Sequence, residues 1–170
     1  MKTETKKILK CGLVLFAIAG ISSTLVSVVN HFTSQVIAKN NKEKEEKLLR
    51  EIYPSGDISS PIEVNINHIE KYWEISNKEQ GRIYKCSGKN AYGSITLLVG
   101  ISSEFKLGRM SFLDLNQSYA QTLKDNYITP YMNSSNKEVA LDNVSCGATF
   151  GAKLIQEMVL EAVANYKEGK

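Results

Sequence analysis

The stretch "RIYKCSGKNAYGSITLLVGISSEFKLGRMSFLDL", Arg82–Leu115, decides the fold. Two breaks divide it, Gly88-Lys89-Asn90 and Ser103-Glu104-Phe105. The spacing predicts three strands, Arg82–Ser87, Ser94–Ser102 and Leu107–Leu115, with turns at the breaks. The middle strand carries "ITLLVGI", apolar without interruption, which predicts a central position in a sheet.

Upstream, "PIEVNINHI" (Pro61–Ile69) alternates and puts Val64, Ile66 and His68 on one face, so a further strand is expected there. A polar helix is expected over residues 33–52, ending at the turn signal Pro54-Ser55-Gly56. Downstream, Ser118–Met132 predicts a helix broken near Pro130, followed by a loop, "NSSNKE". From Ala152 to Tyr166, the residues Ile155, Met158, Val159, Ala162, Val163 and Tyr166 form one apolar stripe of an amphipathic helix. The fold class is therefore α+β: a small antiparallel sheet with flanking helices.

The N-terminus is different in kind. Lys2, Lys6, Lys7 and Lys10 precede a run without Asp, Glu, Lys or Arg from Cys11 to Ala38. About 20 apolar residues cross the hydrocarbon core as a helix, so one transmembrane helix is expected before the sheet. The basic flank predicts a cytoplasmic N-terminus and an extracytoplasmic domain in the cell membrane. The expected layout is a basic tail (1–10), a single-pass anchor (11–31), a helical linker (32–51) and the external domain (52–170). The competing reading is a cleaved signal peptide, for which "SSTLVSVVN" offers only a diffuse small-residue site.

Composition narrows the function. A net charge of +3 with 23% charged residues, and no basic stripe with interleaved aromatics, argues against nucleic acid as a partner. The Lys/Glu run 42–47 reads as a solvated helix face. Cys86 and Cys146 fall in the external domain, where disulfides persist, but two separately held thiols are expected instead of a pair. No spacing resembles a metal site.

"NVSCGATFGAKLIQEMV", Asn143–Val159, places a small-residue turn directly before the last helix. Gly147 and Ala148 let another molecule approach the backbone. Thr149 falls at or just before the first helical turn. A phosphate there would meet unpaired N–H groups and the positive end of the helix dipole. Thr149 as a plain N-cap accounts for the same residues.

"NVSCGAT" resembles the covalent flavin-attachment motif, D-x-x-[S/T]-G-A-T with Asp or Asn leading, of the FMN-binding domain family. That family includes the G subunit of Rnf electron-transport complexes and the C subunit of the sodium-translocating NADH:quinone reductase. The upstream strands and the single anchor are similar too. The resemblance implies FMN held by a phosphoester to Thr149, attached by a flavin transferase that uses FAD. It makes Asn143 the leading polar position and Gly147 and Ala148 direct matches. Ser145 and Cys146 complete the turn, with Cys146 where Ser or Thr is usual. Phe150, next to the acceptor, is the aromatic expected to meet the flavin, ahead of Tyr92, Tyr119, Tyr127 and Tyr131.

The function implied is an electron-transfer flavoprotein, a subunit of an Rnf-type ion-translocating ferredoxin:NAD oxidoreductase. It would have membrane subunits as partners and no independent catalytic site. Two further readings stand beside it: a stand-alone flavin carrier, or a sensory module of the same fold without covalent flavin. A hydrolase using Ser145 or Cys146 would need a base, and His31 and His68 are the histidines available.

Overall fold

The computed structural model describes residues 2–78, 80–129 and 146–169. It divides into two compact units, Met1–Glu43 and Lys44–Lys170. Helix α1, Lys2–Ile52, supplies the whole of the first unit and the first residues of the second. From Gly12 it contains an 18-residue window of mean hydropathy 2.2, none of it buried. Large apolar side chains such as Leu15, Phe16 and Val26 are exposed along it. A helix apolar all round belongs in a core or a membrane.

The second unit is an antiparallel sheet with helical cover on both faces. Its strands are β1 (Gly56–Ile58), β2 (Ile62–Ile66), β3 (Ile69–Asn77), β4 (Gly81–Asn90), β5 (Gly93–Ser102) and β6 (Leu107–Gln117). The order is β1-β3-β4-β5-β6, with β2 also paired to β3. All pairings are antiparallel. A short helix, α2 (Ala120–Leu123), opens into a wide π turn over Lys124–Ile128. The last helix, α3, covers Thr149–Glu168.

Strand alternation sorts the core into two clusters. Tyr84 and Cys86 of β4, with Ile95, Leu97, Val99 and Ile101 of β5, pack with Ile155, Met158, Val159 and Ala162 of α3. Ile83 and Leu98, with Trp73 and Ile75 of β3, pack with Leu49 and Ile52 of α1. This is why Leu97–Ile101 is buried on successive residues: both faces of β5 are covered, as its interior place between β4 and β6 requires. Full burial of a Leu, Ile or Met contributes about 1.5–3 kcal/mol, so the α3 stripe is a principal source of cohesion.

The structure adds the short strand β1, which was not anticipated, and departs from the sequence expectations at three further places. "PIEVNINHI" is not one strand. It is β2 followed by a turn at Asn67-His68 and the start of β3, and β3 was not anticipated. Asn65 and Asn67 adopt φ 52° and 49°, conformations that Asn tolerates better than other non-glycine residues. Second, Gly88-Lys89-Asn90 is not a turn. It completes β4, and the hairpin is the two-residue loop Ala91-Tyr92. Gly88 is there for close approach, since a Cβ would come within 2.7–2.9 Å of Met158, His68 and Leu154 side-chain atoms. Third, residues 44–51, expected within a linker, pack into the domain through Leu49. The expected break at Pro130, the loop "NSSNKE" and residues Tyr131, Asn143 and Ser145 lie outside the described residues.

Candidate cofactor site at the start of the last helix

Helix α3 starts at Thr149, with Ala148 in the capping position and no side-chain cap. Thr149 is thus the first helical residue and not the N-cap. The first bond of the helix runs from Ala152 N–H to Ala148 O at 3.0 Å. The N–H groups of Thr149, Phe150 and Gly151 therefore have no partner within the helix. The first turn carries no acidic residue, so no side chain of its own offsets its positive end.

The turn before it is set by Gly147, whose φ is +81°. That conformation favours glycine, and a Cβ would also sit 3.3 Å from Thr122 Cγ2. Asn126 Nδ2 donates to Cys146 O at 3.2 Å and fixes the entry to the turn.

A cavity of about 250 Å³ opens at this end of the helix. Gly147, Ala148, Thr149, Phe150 and Gly151 line it from the turn; Tyr92, Gln117, Tyr119 and Leu123 line it from the sheet and α2. Thr149 is half-buried there. Tyr92, Tyr119 and Phe150 are 40%, 56% and 60% exposed, high values for three neighbouring aromatic rings. Tyr92 and Phe150 have centroids 5.1 Å apart at 31°; Tyr92 and Tyr119 are 6.3 Å apart at 56°.

The structure thus brings together Gly147, Ala148, Thr149 and Phe150 of the expected site. Cys146 is half-buried against the main core cluster and does not line the cavity. Tyr127 is buried in that core, away from any stacking role. Gln117, Leu123, Gly151 and Asn90 were not expected. Asn90 Oδ1 accepts from Tyr92 N–H at 2.9 Å and Gln117 Nε2 at 3.2 Å, while Asn90 Nδ2 donates to Phe150 O at 3.2 Å. The available signal was hairpin length: a two-residue loop pairs Asn90 with Gly93, whose partner on β6 is Gln117, and so sets Tyr92 beside the end of β6.

Little supports nucleophilic hydrolysis. His68 Nδ1 is 3.0 Å from Glu161 Oε2 and is not part of the cavity lining. Cys86 is fully buried, and burial with the Glu161 and Glu70 carboxylates pushes its thiol far above the ordinary range. Cys86 and Cys146 are both free thiols.

The residues fit a phosphate-bearing aromatic cofactor. They offer a helix N-terminus with no side-chain cap among the described residues, a small-residue turn, a hydroxyl and a cluster of aromatic surfaces in one cavity. Fold and site define a class: an α+β domain that follows an apolar N-terminal helix and carries a candidate cofactor cavity at its last helix. Residues 1–52 match the family model described as the RnfG N-terminal region. The chain resembles the RnfG subunit, and this match lies on a different part of the chain from the attachment motif. The match and the apolar helix fit single-pass membrane anchoring. No curated protein matches the chain.

Proposed function

We propose that this chain is a membrane-anchored electron-transfer flavoprotein of an Rnf-type complex, with FMN held as a phosphoester on Thr149. One observation carries the reading: Thr149 stands at the first position of α3 and lines the same cavity as three clustered aromatic rings. The RnfG match supports the electron-transfer setting and a multi-subunit assembly.

The roles of the residues follow from their positions. Thr149 supplies the acceptor hydroxyl. The open N–H groups of the first turn hold the phosphate oxygens, assisted by the helix dipole. Gly147 and Ala148 leave room for the flavin transferase and for the phosphate. The flavin supplies the electron exchange; the protein supplies position and electrostatics. Covalent linkage would keep the cofactor from being lost by dilution in the extracytoplasmic space, the side that the positive-inside rule favours for the domain.

The test is direct. The full chain is co-expressed with a flavin transferase, denatured and examined for ultraviolet fluorescence on a gel. Intact mass should rise by one FMN less one water, and Thr149→Val should lose both signals. Fluorescence that survives Thr149→Val sinks the assignment. Unlabelled protein that still binds FMN reversibly would favour the non-covalent module.

A further inference from the structure

One carboxamide joins the three segments that build the cavity. Asn90, the last residue of β4, uses Oδ1 to accept from the Tyr92 N–H of the hairpin loop and from Gln117 Nε2 of β6. Its Nδ2 donates to Phe150 O in the first turn of α3. All three partners line the cavity, although Asn90 itself does not. The bonds use both ends of the amide, so the orientation of the group is determined by its neighbours. They also set the spacing between the hairpin loop and the helix start, where the Tyr92 and Phe150 rings meet at 5.1 Å.

We propose that Asn90 is the positioning residue of a preformed seat for the flat isoalloxazine ring of the flavin, with the contacting Tyr92 and Phe150 rings as its aromatic floor. This rests on the Thr149 reading. Rigid aromatic surfaces bind flat ring systems at low conformational cost. Such surfaces left exposed in a cluster are otherwise unfavourable in a soluble domain. Thr149 lines the same cavity, so a ring tethered there is held at high effective concentration and needs only modest stacking to occupy the seat. An Asp at position 90 would keep the acceptor for Tyr92 N–H. Its second oxygen would face the Phe150 carbonyl with no proton to donate, and the link between hairpin and helix would open.

The experiment uses the full chain, flavinylated, with intact mass read first. Flavin emission is compared in the folded protein and after unfolding in denaturant, because aromatic contact quenches the excited ring. The wild type should brighten several-fold on unfolding. Folded Tyr92→Leu, Phe150→Leu and Asn90→Asp should be markedly brighter than folded wild type at equal flavin mass. Asn90→Asp should also shift the flavin midpoint potential, which a simple loss of stability would not do. A wild type as bright folded as unfolded, with the mass increment present, overturns the seat and leaves the Thr149 reading intact. Asn90→Asp quenched like the wild type overturns the role of Asn90. A missing mass increment defeats the Thr149 reading instead. In that case the unmodified chain is titrated with lumiflavin, the ring without the phosphate. Saturable quenching lost in Tyr92→Leu supports the seat, and absence of quenching overturns it.

Discussion

Glu45 and Lys71 form an ion pair of 2.8 Å between the end of α1 and strand β3. The other Glu45 oxygen lies 3.2 Å from Lys85, which also meets Glu70 at 3.0 Å. Arg109 donates to Glu51 O at 3.0 Å, and the Lys44 ammonium donates to Leu113 O. Beneath these polar ties, Leu49 and Ile52 are each 5% exposed against Trp73, Ile83 and Leu98. The last residues of α1 are therefore part of the domain's second core.

Removing that core contact should be costly. Leu49→Ala is expected to destabilise the domain by roughly 2–5 kcal/mol, the range for truncating a buried Leu. A fragment starting at residue 53 should melt far below one starting at residue 44. Equal melting temperatures would show that the second cluster contributes nothing.

The ion network has a defined pH signature. For Glu70, burial raises the carboxyl's value, but hydrogen bonds from Ser87 and Lys85 outweigh it and hold the carboxyl below the ordinary 4.5. For Lys85, burial lowers the ammonium's value, but hydrogen bonds to Glu70 and Glu45 outweigh it and hold the ammonium above 10.5. A lowered acid stabilises fully above its ordinary value, and that stability is lost as pH falls through the lowered one; a raised base stabilises below its ordinary value and fails as pH rises through the raised one. The stability difference between wild type and Glu70→Gln should thus shrink below about pH 4.5. That between wild type and Lys85→Met should shrink above about pH 10.5. Denaturant titrations across pH check both limbs.

Gly147 should be needed for labelling and not for folding. A left-handed residue other than glycine costs about 1–2 kcal/mol, and a β-branched one crowds further. Gly147→Val is expected to stay folded by circular dichroism but to take up flavin poorly. Normal uptake would show that the turn tolerates a side chain where the transferase approaches.

Cys146 should be dispensable. The turn is held through its backbone oxygen by Asn126, and its thiol is free. Cys146→Ser should flavinylate at least as well as the parent. A Cys86–Cys146 peptide pair in a non-reduced digest, with poor loading of Cys146→Ser, would make the cysteine part of the site.

The anchor reading is checked on intact cells. Added protease should degrade Lys39–Lys170 and spare the Met1–Lys10 tail. A mature protein beginning near residue 30 would restore the signal-peptide reading.

Local pattern alone determined much of this protein. The uncharged run after Lys10 reflects composition, and the stripe from Ile155 to Tyr166 and the three long strands reflect periodicity; a chain displays both before it folds. The small-residue turn at Gly147-Ala148 was legible from its residue types, and the resemblance of "NVSCGAT" to the flavin-attachment motif singled out the hydroxyl of Thr149. Other features belong to contacts between distant residues. Gly88 looks like a turn residue and is a strand residue, because Met158 and Leu154 pack where its side chain would be. His68 fits the alternating face of a strand and instead sits in a turn, where backbone and ring bond Glu161. Asn90 has no distinction in sequence; its importance arises only when β4, β6 and α3 converge and leave three polar groups for one amide to satisfy. Periodicity records which face of an element is buried. Only the tertiary structure decides what lies against that face, since pairing register and helix docking depend on the whole set of contacts at once.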